Sequence, residues 1–358
     1  MRKGLSNYLD LLRLLAAAAV FVSHLSWFRL TGGFLWQLQP IGHGAVIVFF
    51  VLSGFVIQYA ARANENTMFS FMVARFARLY SVVLPALLLT FLCDWIGTHH
   101  DASSYYMDRE TSPLVRLATG ALFLSQSWQH MSLLSNDPFW SLPYEFWYYQ
   151  LFATALFLKG WLRPLVLGVE ILISGPAILL LFPIWLMGVV VYRMSVSVRM
   201  SERGALLLWV ASVLAAGILY AARGNHIFPT LPNGPLLPPN FSIADYFFGL
   251  AMAANIFAAS YLPISLGWLA KPVVAAAGAT FALYLFHLPL LHLASAFIPH
   301  HWTVLERGMA AATFALISVA GLSVITERRK RAWRSMFTWL FSSLSKLQHL
   351  LPSFRNAS

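Results

Sequence analysis

Cysteine, charge and long polar stretches are what this chain has least of. Cys93 is the single cysteine, so no internal disulfide and no cysteine-based metal site can form. It sits in an apolar run, which reads as packing and not as a nucleophile. Only 10% of residues are charged, and the 13 acids are outnumbered by 24 Lys and Arg. No hydrophilic segment is long enough for a second soluble domain. Mean hydropathy of +0.68 and 59% hydrophobic residues exclude an ordinary soluble fold and imply a polytopic membrane protein.

The net charge of +11 raises the question of nucleic acid. The basic residues, however, sit at the ends of apolar segments, which is the positive-inside pattern and reports topology, so no nucleic-acid partner is expected. The 358 residues accommodate about ten spans of ~20 residues with short connections. The expected fold is an all-α integral membrane bundle of about ten helices with both termini cytosolic. Residues 1–334 would form it, and 335–358 a cytosolic or membrane-surface tail. Arg2 and Lys3 before an apolar run resemble a signal peptide, but no small-residue cleavage site follows, so the run is expected to stay as the first span.

That first span, from Tyr8 to Trp27, carries Asp10, Arg13 and His24. Arg13 and His24 are eleven positions apart. At ~100° and ~1.5 Å per residue they share a face to within roughly 20° and lie about 16 Å apart along the axis. Ionisable groups at bilayer depth are costly and usually face a bundle interior or a wet cavity. A snorkelling Arg with a hydrogen-bonded packing His is the alternative. The second span, roughly Gly42 to Ala60, begins at His43, a further candidate for the cavity lining. Its glycines read as close helix approach, and Ser53-Gly54 as a small notch within the bilayer.

Arg75 and Arg78 share a face at the start of the third span. They either orient the chain by positive charge or form an anion cradle, since guanidinium forks suit phosphates. Pro85 is expected to kink or break the helix beyond them. His99, His100 and Asp101 open an outer stretch with Asp108 and Glu110. No further spaced ligands accompany them, so a solvated loop is favoured over a metal site and no metal is expected. Pro113 to Ser127 is apolar but short, which suits a re-entrant or interfacial helix. Glu145 lies among Trp140, Tyr144, Phe146, Trp147, Tyr148 and Tyr149. An interfacial aromatic belt explains the rings, but a carboxylate there needs a cationic or hydroxyl partner. Pro143 would break that helix.

Later spans are expected over Pro164 to Phe182, a shorter return at Pro183 to Tyr192, then Ala205 to Ala222, Ile243 to Ser260, Gly278 to Ile298 and Gly308 to Ile325. A Pro-rich outer loop that includes His226 precedes the eighth. Tyr284 and His287 share a face of the ninth, where Pro289 should kink the helix, and a packing histidine competes with a functional one. The basic stop Glu327 to Arg334 can hold anionic membrane lipid. The apolar residues after it suit a surface helix.

Taken together, YLDLLRLLAAAAVFVSH at 8–24, VIVFFVLSGFVI at 46–57, ARFARLYSVVLP at 74–85, FWSLPYEFWYY at 139–149 and TFALYLFHLPLL at 280–291 resemble the acyltransferase-3 family of membrane O-acyltransferases. The first segment, an Arg and a His with ten residues between, is the most specific. The resemblance spans about residues 8 to 326. It implies a ten-helix bundle that moves an acyl group, commonly acetyl, from acyl-CoA to a hydroxyl of a carbohydrate, surface polysaccharide or lipid-linked glycan. It places the catalytic His on His24, with Arg13, Arg75 and Arg78 binding the acyl-CoA and Glu145 joining the catalytic set. A bacterial inner (cytoplasmic) membrane is the implied location, in the stand-alone form without an appended esterase-like domain. One departure is that Leu25 to Arg29 contains no acid shortly after His24. Whatever orients His24 is therefore expected from elsewhere, with Glu145 the candidate. The expected picture is one shaft with guanidinium groups at its inner mouth and His24 deeper. A multi-span transporter of a small anionic or sugar-like solute is the competing class, since buried ions also line transport paths. Against it, the polar residues cluster in the first half and no inverted repeat is visible.

Overall fold

The computed structural model describes residues 1–105, 111–224, 227, 228, 230, 231, 234 and 236–348. Asp108, Glu110, His226 and the last ten positions of the tail lie outside the described residues. The chain is helical throughout, with no β-strand among the described residues. In order, the helices are Lys3–Leu25 (α1), Phe28–Thr31 (α2), Ile41–Ala63 (α3), Met68–His100 (α4), Pro113–Ala121 (α5), Ser141–Phe157 (α6) and Leu162–Ser174 (α7). They continue as Pro176–Ser197 (α8), Glu202–Gly224 (α9), Ala244–Ala259 (α10), Ala270–Ala277 (α11), Thr280–Phe297 (α12), Val304–Ile325 (α13) and Lys330–Gln348 (α14). Among the described residues, seven apolar helical segments, which include α1, α3, α4, α8, α9, α12 and α13, are long and apolar enough to cross a membrane, and the chain is an integral membrane protein.

Local chemistry sets where these helices begin and end. Thr67 caps α4 in a reciprocal box with Ser70, and Thr303 caps α13 in the same way with Glu306, each satisfying two otherwise orphaned N–H groups. Two sequence expectations give way here. The break expected at Phe182/Pro183 lies instead at Gly175, and α8 runs unbroken through Pro183. Gly175 turns at φ +80°, and a Cβ there would collide with the Ser127 carbonyl, so both the conformation and the close approach require glycine. The second concerns proline. Pro143 is the third residue of α6, where an N–H has no intrahelical partner to lose, so it opens the helix instead of breaking it. Likewise α4 continues through Pro85 and α12 through Pro289. The carbonyl that Pro289 leaves unpaired, that of Leu285, accepts from Asn136 Nδ2 at 2.9 Å. A neighbouring amide thus replaces the missing backbone donor, as membrane helices allow.

The bundle is built on α3, which packs against α8 on one side and α1 on the other, while α12 lies between α1, α4 and α13. Gly54 on α3 faces the Trp185 carbonyl of α8, and Gly188 on α8 faces the Val51 carbonyl of α3, so the two backbones meet without intervening side chains. Further out, a buried chain of hydrogen bonds ties α1, α9 and α10. Trp209 Nε1 donates to Tyr8 OH at 2.9 Å, Tyr8 OH to Asn255 Oδ1 at 2.6 Å, and Asn255 Nδ2 to Ser212 at 3.1 Å. The boundary drawn at 334/335 falls inside α14. That helix docks on α4 through Phe337, which stacks near Phe76 and Tyr80.

Candidate active site

All five of the segments singled out in the sequence converge on one cavity between α1, α3, α4, α6 and α12. Arg13, Arg75, Arg78, Glu145, Ser53 and Tyr284 are among its lining residues. Its volume of about 80 Å³ is enough for several waters, when one needs roughly 10–15 Å³. Along the bundle, α1 and α4 bring the arginines to one end. Ser53, Glu145 and Tyr149 form the middle, and Phe49, Ser141 and Tyr284 close the far end.

Each arginine is already engaged. Arg75 is buried and donates to both oxygens of Glu65 at 2.7 Å, with its guanidinium over the rings of Phe71 and Tyr149. Arg13 pairs with Asp10 at 3.2 Å, one turn back on α1. Arg78 lies over the Phe281 ring at 5.5 Å, with Tyr149, Glu145 and Glu327 its nearby electronegative groups. The cations thus form a held cluster with fixed directions, and the phenyl and tyrosyl faces supply cation–π support.

Glu145 finds the partners its surroundings demanded, and they are hydroxyls. Ser53 Oγ donates to its Oε1 at 3.2 Å, Tyr149 OH donates to the same oxygen, and Trp185 Nε1 donates to Ser53 Oγ at 3.1 Å. Tyr149 follows Glu145 by four positions, a spacing that offers this contact on any helix. The Ser53–Trp185 contact crosses 132 positions and has no local signal.

His24 stands apart from this cavity. It is not among the lining residues, so the single shaft expected from the sequence is not one continuous open space. The cavity ends at Tyr284, whose hydroxyl shares a 2.8 Å hydrogen bond with Ser141. His287, three positions further along α12, is fully buried, and its Nε2 lies 3.1 Å from Nδ1 of His24. The expected orienting role of Glu145 is therefore corrected. Glu145 has its contacts on α3 and α6, and the side chain that meets the His24 ring is His287. Trp27 and Phe21 enclose the pair edge-on, Trp27 against His24 and Phe21 against His287.

His43 does not line the cavity either. Its Nε2 lies 3.1 Å from Asp245 Oδ1, and the same carboxylate oxygen accepts from Arg223. Asp245 also accepts from the Ser242 backbone at 3.0 Å. This buried ionic cluster ties α3, α9 and α10, and an acid opening an apolar helix was the one sequence signal for it. Asp94, buried on α4, accepts from the Ser135 backbone at 2.9 Å and from its hydroxyl, which anchors the loop before α6. At the end of α4, Asp101 accepts from Ser103 and Ser104 and lies 3.2 Å from His300.

A family model described as an acyltransferase domain matches residues 6–328. The chain is similar to an O-acetyl transferase of Shigella phage Sf6, at 32% identity over 161 residues, covering 42% of this chain and 46% of that protein. It is also similar to acyltransferase MdmB of Streptomyces mycarofaciens, at 27% identity over 265 residues, covering 68% of this chain and 55% of that protein. The chain thus spans about half the length of the curated relatives it matches. No solved structure matches it.

Proposed function

Because this chain belongs to the acyltransferase-3 family and is a membrane enzyme that transfers acyl groups, we propose that it moves an acetyl group from acetyl-CoA to a hydroxyl of a carbohydrate or lipid-linked glycan. The acetyl assignment follows the printed name of the phage relative. The donor is a cytosolic metabolite, which suits a bacterial inner membrane. The observation that carries the reading is the polarity of the site. One end of the cavity gathers three arginines, and its other end abuts, through Tyr284, the His287–His24 pair.

The topology is consistent with this. Counting α6, α7 and α10 as crossings beside the seven long apolar helices would give the ten that the family resemblance implies. Arg2 and Lys3 then lie inside at one end, and Arg328, Arg329 and Arg331 inside at the other. In that frame the arginine end of the cavity faces the cytosol, and His24 lies near the opposite face.

In the proposed reaction, the donor's phosphates take the guanidinium groups of Arg13, Arg75 and Arg78, which gives charge-assisted bonds in a water-poor site. The thioester arm extends past Tyr284 towards His24. His24 accepts the proton of the acceptor hydroxyl, the oxygen forms a bond to the thioester carbonyl carbon, and the C–S bond breaks. The sulfur leaves as a thiol with the proton that His24 returns. Alternatively His24 carries the acyl group transiently as an acyl-imidazole. A pulse of labelled donor without acceptor separates these routes, because only the second leaves label on the protein.

The test uses the purified full chain in lipid vesicles with acetyl-CoA and a glycan acceptor. Arg78→Ala is expected to raise the donor KM by roughly 10- to 100-fold, the range for losing a hydrogen bond to a charged partner, with a smaller change in kcat. His24→Ala is expected to abolish transfer. Near-wild-type turnover in His24→Ala would sink the assignment.

A further inference from the structure

The ring contacts of the two histidines fix which nitrogen of each carries a proton. His287 Nδ1 lies 2.7 Å from the Leu283 carbonyl oxygen. A carbonyl can only accept, so this nitrogen is the protonated one, and in the neutral ring Nε2 is left with its lone pair. His24 Nδ1 lies 2.9 Å from the Val20 carbonyl, which again can only accept. That N–H also meets the lone pair of His287 Nε2, at 3.1 Å. The three contacts agree with one another and leave Nε2 of His24 unprotonated.

The geometry points to His287 as the positioning residue for the transfer, one that takes the place an acid commonly fills beside a basic histidine. The inference rests on His24 being the base or acyl carrier. The absence of any acid in Leu25 to Arg29 is thereby explained, since the partner comes from α12, 263 positions away. When Nε2 of His24 takes the acceptor's proton, the ring becomes an imidazolium between Trp27 and His287. Its Nδ1–H is then a stronger donor, and among the described residues the His287 lone pair is the side-chain acceptor aimed at it. The proton on Nδ1 can be shared towards His287 Nε2, while the Nδ1–H of His287 stays on the Leu283 carbonyl. No net proton is lost, and the ring is reset when the thiol forms. A second backbone acceptor, the Val20 carbonyl, keeps the tautomer in the resting state. The contribution of His287 is therefore expected in turnover and not in substrate binding.

The test compares His287→Gln, His287→Asn and His287→Leu in the full chain in vesicles, with His24→Ala alongside. Gln can place its amide oxygen close to where Nε2 of His287 sits, whereas Asn, one carbon shorter, holds it near the position of Nδ1. His287→Leu and His287→Asn are expected to lower kcat by roughly 10- to 100-fold, with KM for acetyl-CoA within about twofold, as befits one hydrogen bond to a group that becomes charged. His287→Gln should restore most of that loss. A purely structural role predicts instead that Gln and Asn behave alike, or that losses follow melting temperature. Either result overturns the inference, as does wild-type kcat in His287→Leu. If His24→Ala itself retains activity, the parent reading has failed. If His24→Ala is dead while His287→Leu turns over normally, only the role of His287 has failed. Should His287→Leu not fold, the Gln–Asn contrast still decides.

Discussion

Gly54 offers the sharpest test of how the fold holds the site. A Cβ at this position would fall on the Trp185 carbonyl oxygen, with the carbonyl carbon at 3.0 Å and the Val189 nitrogen at 3.2 Å. Ordinary contact needs about 3.4–4 Å, so Gly54→Ala obliges α3 and α8 to part by about an ångström or more. The Trp185 to Ser53 hydrogen bond is 3.1 Å long, and a displacement of that size takes it past 3.5 Å and ends it. Ser53 then loses the donor that aims it, and its own 3.2 Å bond to Glu145 is compromised. Overpacking of this kind costs about 1–3 kcal/mol, and the lost bond about 1 kcal/mol more. The expected outcome is a melting temperature lower by several degrees and a lower kcat/KM, measured on purified protein and in vesicles. Gly217→Ala is the control, since a Cβ there meets nothing within 4 Å and removing a helix-interior glycine gains up to about 1 kcal/mol. If Gly54→Ala melts and turns over like the wild type, the argument that backbone contact between α3 and α8 positions Glu145 is refuted.

Three further outcomes are expected. Asp245→Asn leaves Arg223 and His43 without their shared carboxylate and should destabilise the protein by about 3–5 kcal/mol, read by thermal unfolding, with no change in donor KM at a temperature where it is folded. Glu65→Gln frees Arg75 from its carboxylate and should lower the KM for acetyl-CoA if Arg75 grips the donor; a raised KM would place Arg75 in a purely structural pair. At the outer end of α4, the Ser103 side chain and backbone N–H, with Ser104 and nearby His300, hold the Asp101 carboxyl below its ordinary range. A depressed acid adds stability that is present above its unfolded pKa of about 3.9 and is lost as pH falls through the lower folded value. Melting temperature should therefore drop over that acid range in the wild type and drop less in Asp101→Asn. The effect is small, because the group is largely exposed to solvent screening.

The parts of this architecture that could be read from the chain are those where chemistry and neighbours are local. The facing of Arg75 and Arg78 follows from helical period, and both line the same cavity; the long apolar helices follow from hydropathy, and seven of them are found among the described residues. The helices run on through Pro85 and Pro289 without a break, and there is a physical reason. The cost of a proline depends on whether another group satisfies the carbonyl it strands, and Asn136 does this for Leu285 from 149 positions away. The turn at Gly175 was hidden because an apolar run gives no sign of where a carbonyl from another loop, here that of Ser127, will pass close by. The same limit explains why Glu145 was paired with His24. Both needed a partner, and sequence distance could not tell that Ser53 and Tyr149 would serve one and His287 the other.

The charges of the cavity carry the remaining argument. Three guanidinium groups left bare in a low-dielectric bundle would repel one another and cost several kcal/mol each in lost hydration. They are held instead by Glu65, by Asp10 and, around Arg78, by aromatic faces and nearby oxygens. On the proposed reading, an incoming donor would exchange partners with the arginines and would not meet unpaired charge. The Coulombic gain on binding is the difference between phosphate and carboxylate contacts, which is modest. With the acyl-CoA donor proposed above, a modest gain would suit release of the second product, since free CoA keeps every phosphate of the donor and loses only the acyl group. Binding energy spent on the phosphates is the same before and after transfer and cannot speed the chemical step. The rate has to come from groups that meet charge only in the transition state, and the proposal above assigns that part to the pair of imidazoles beyond Tyr284.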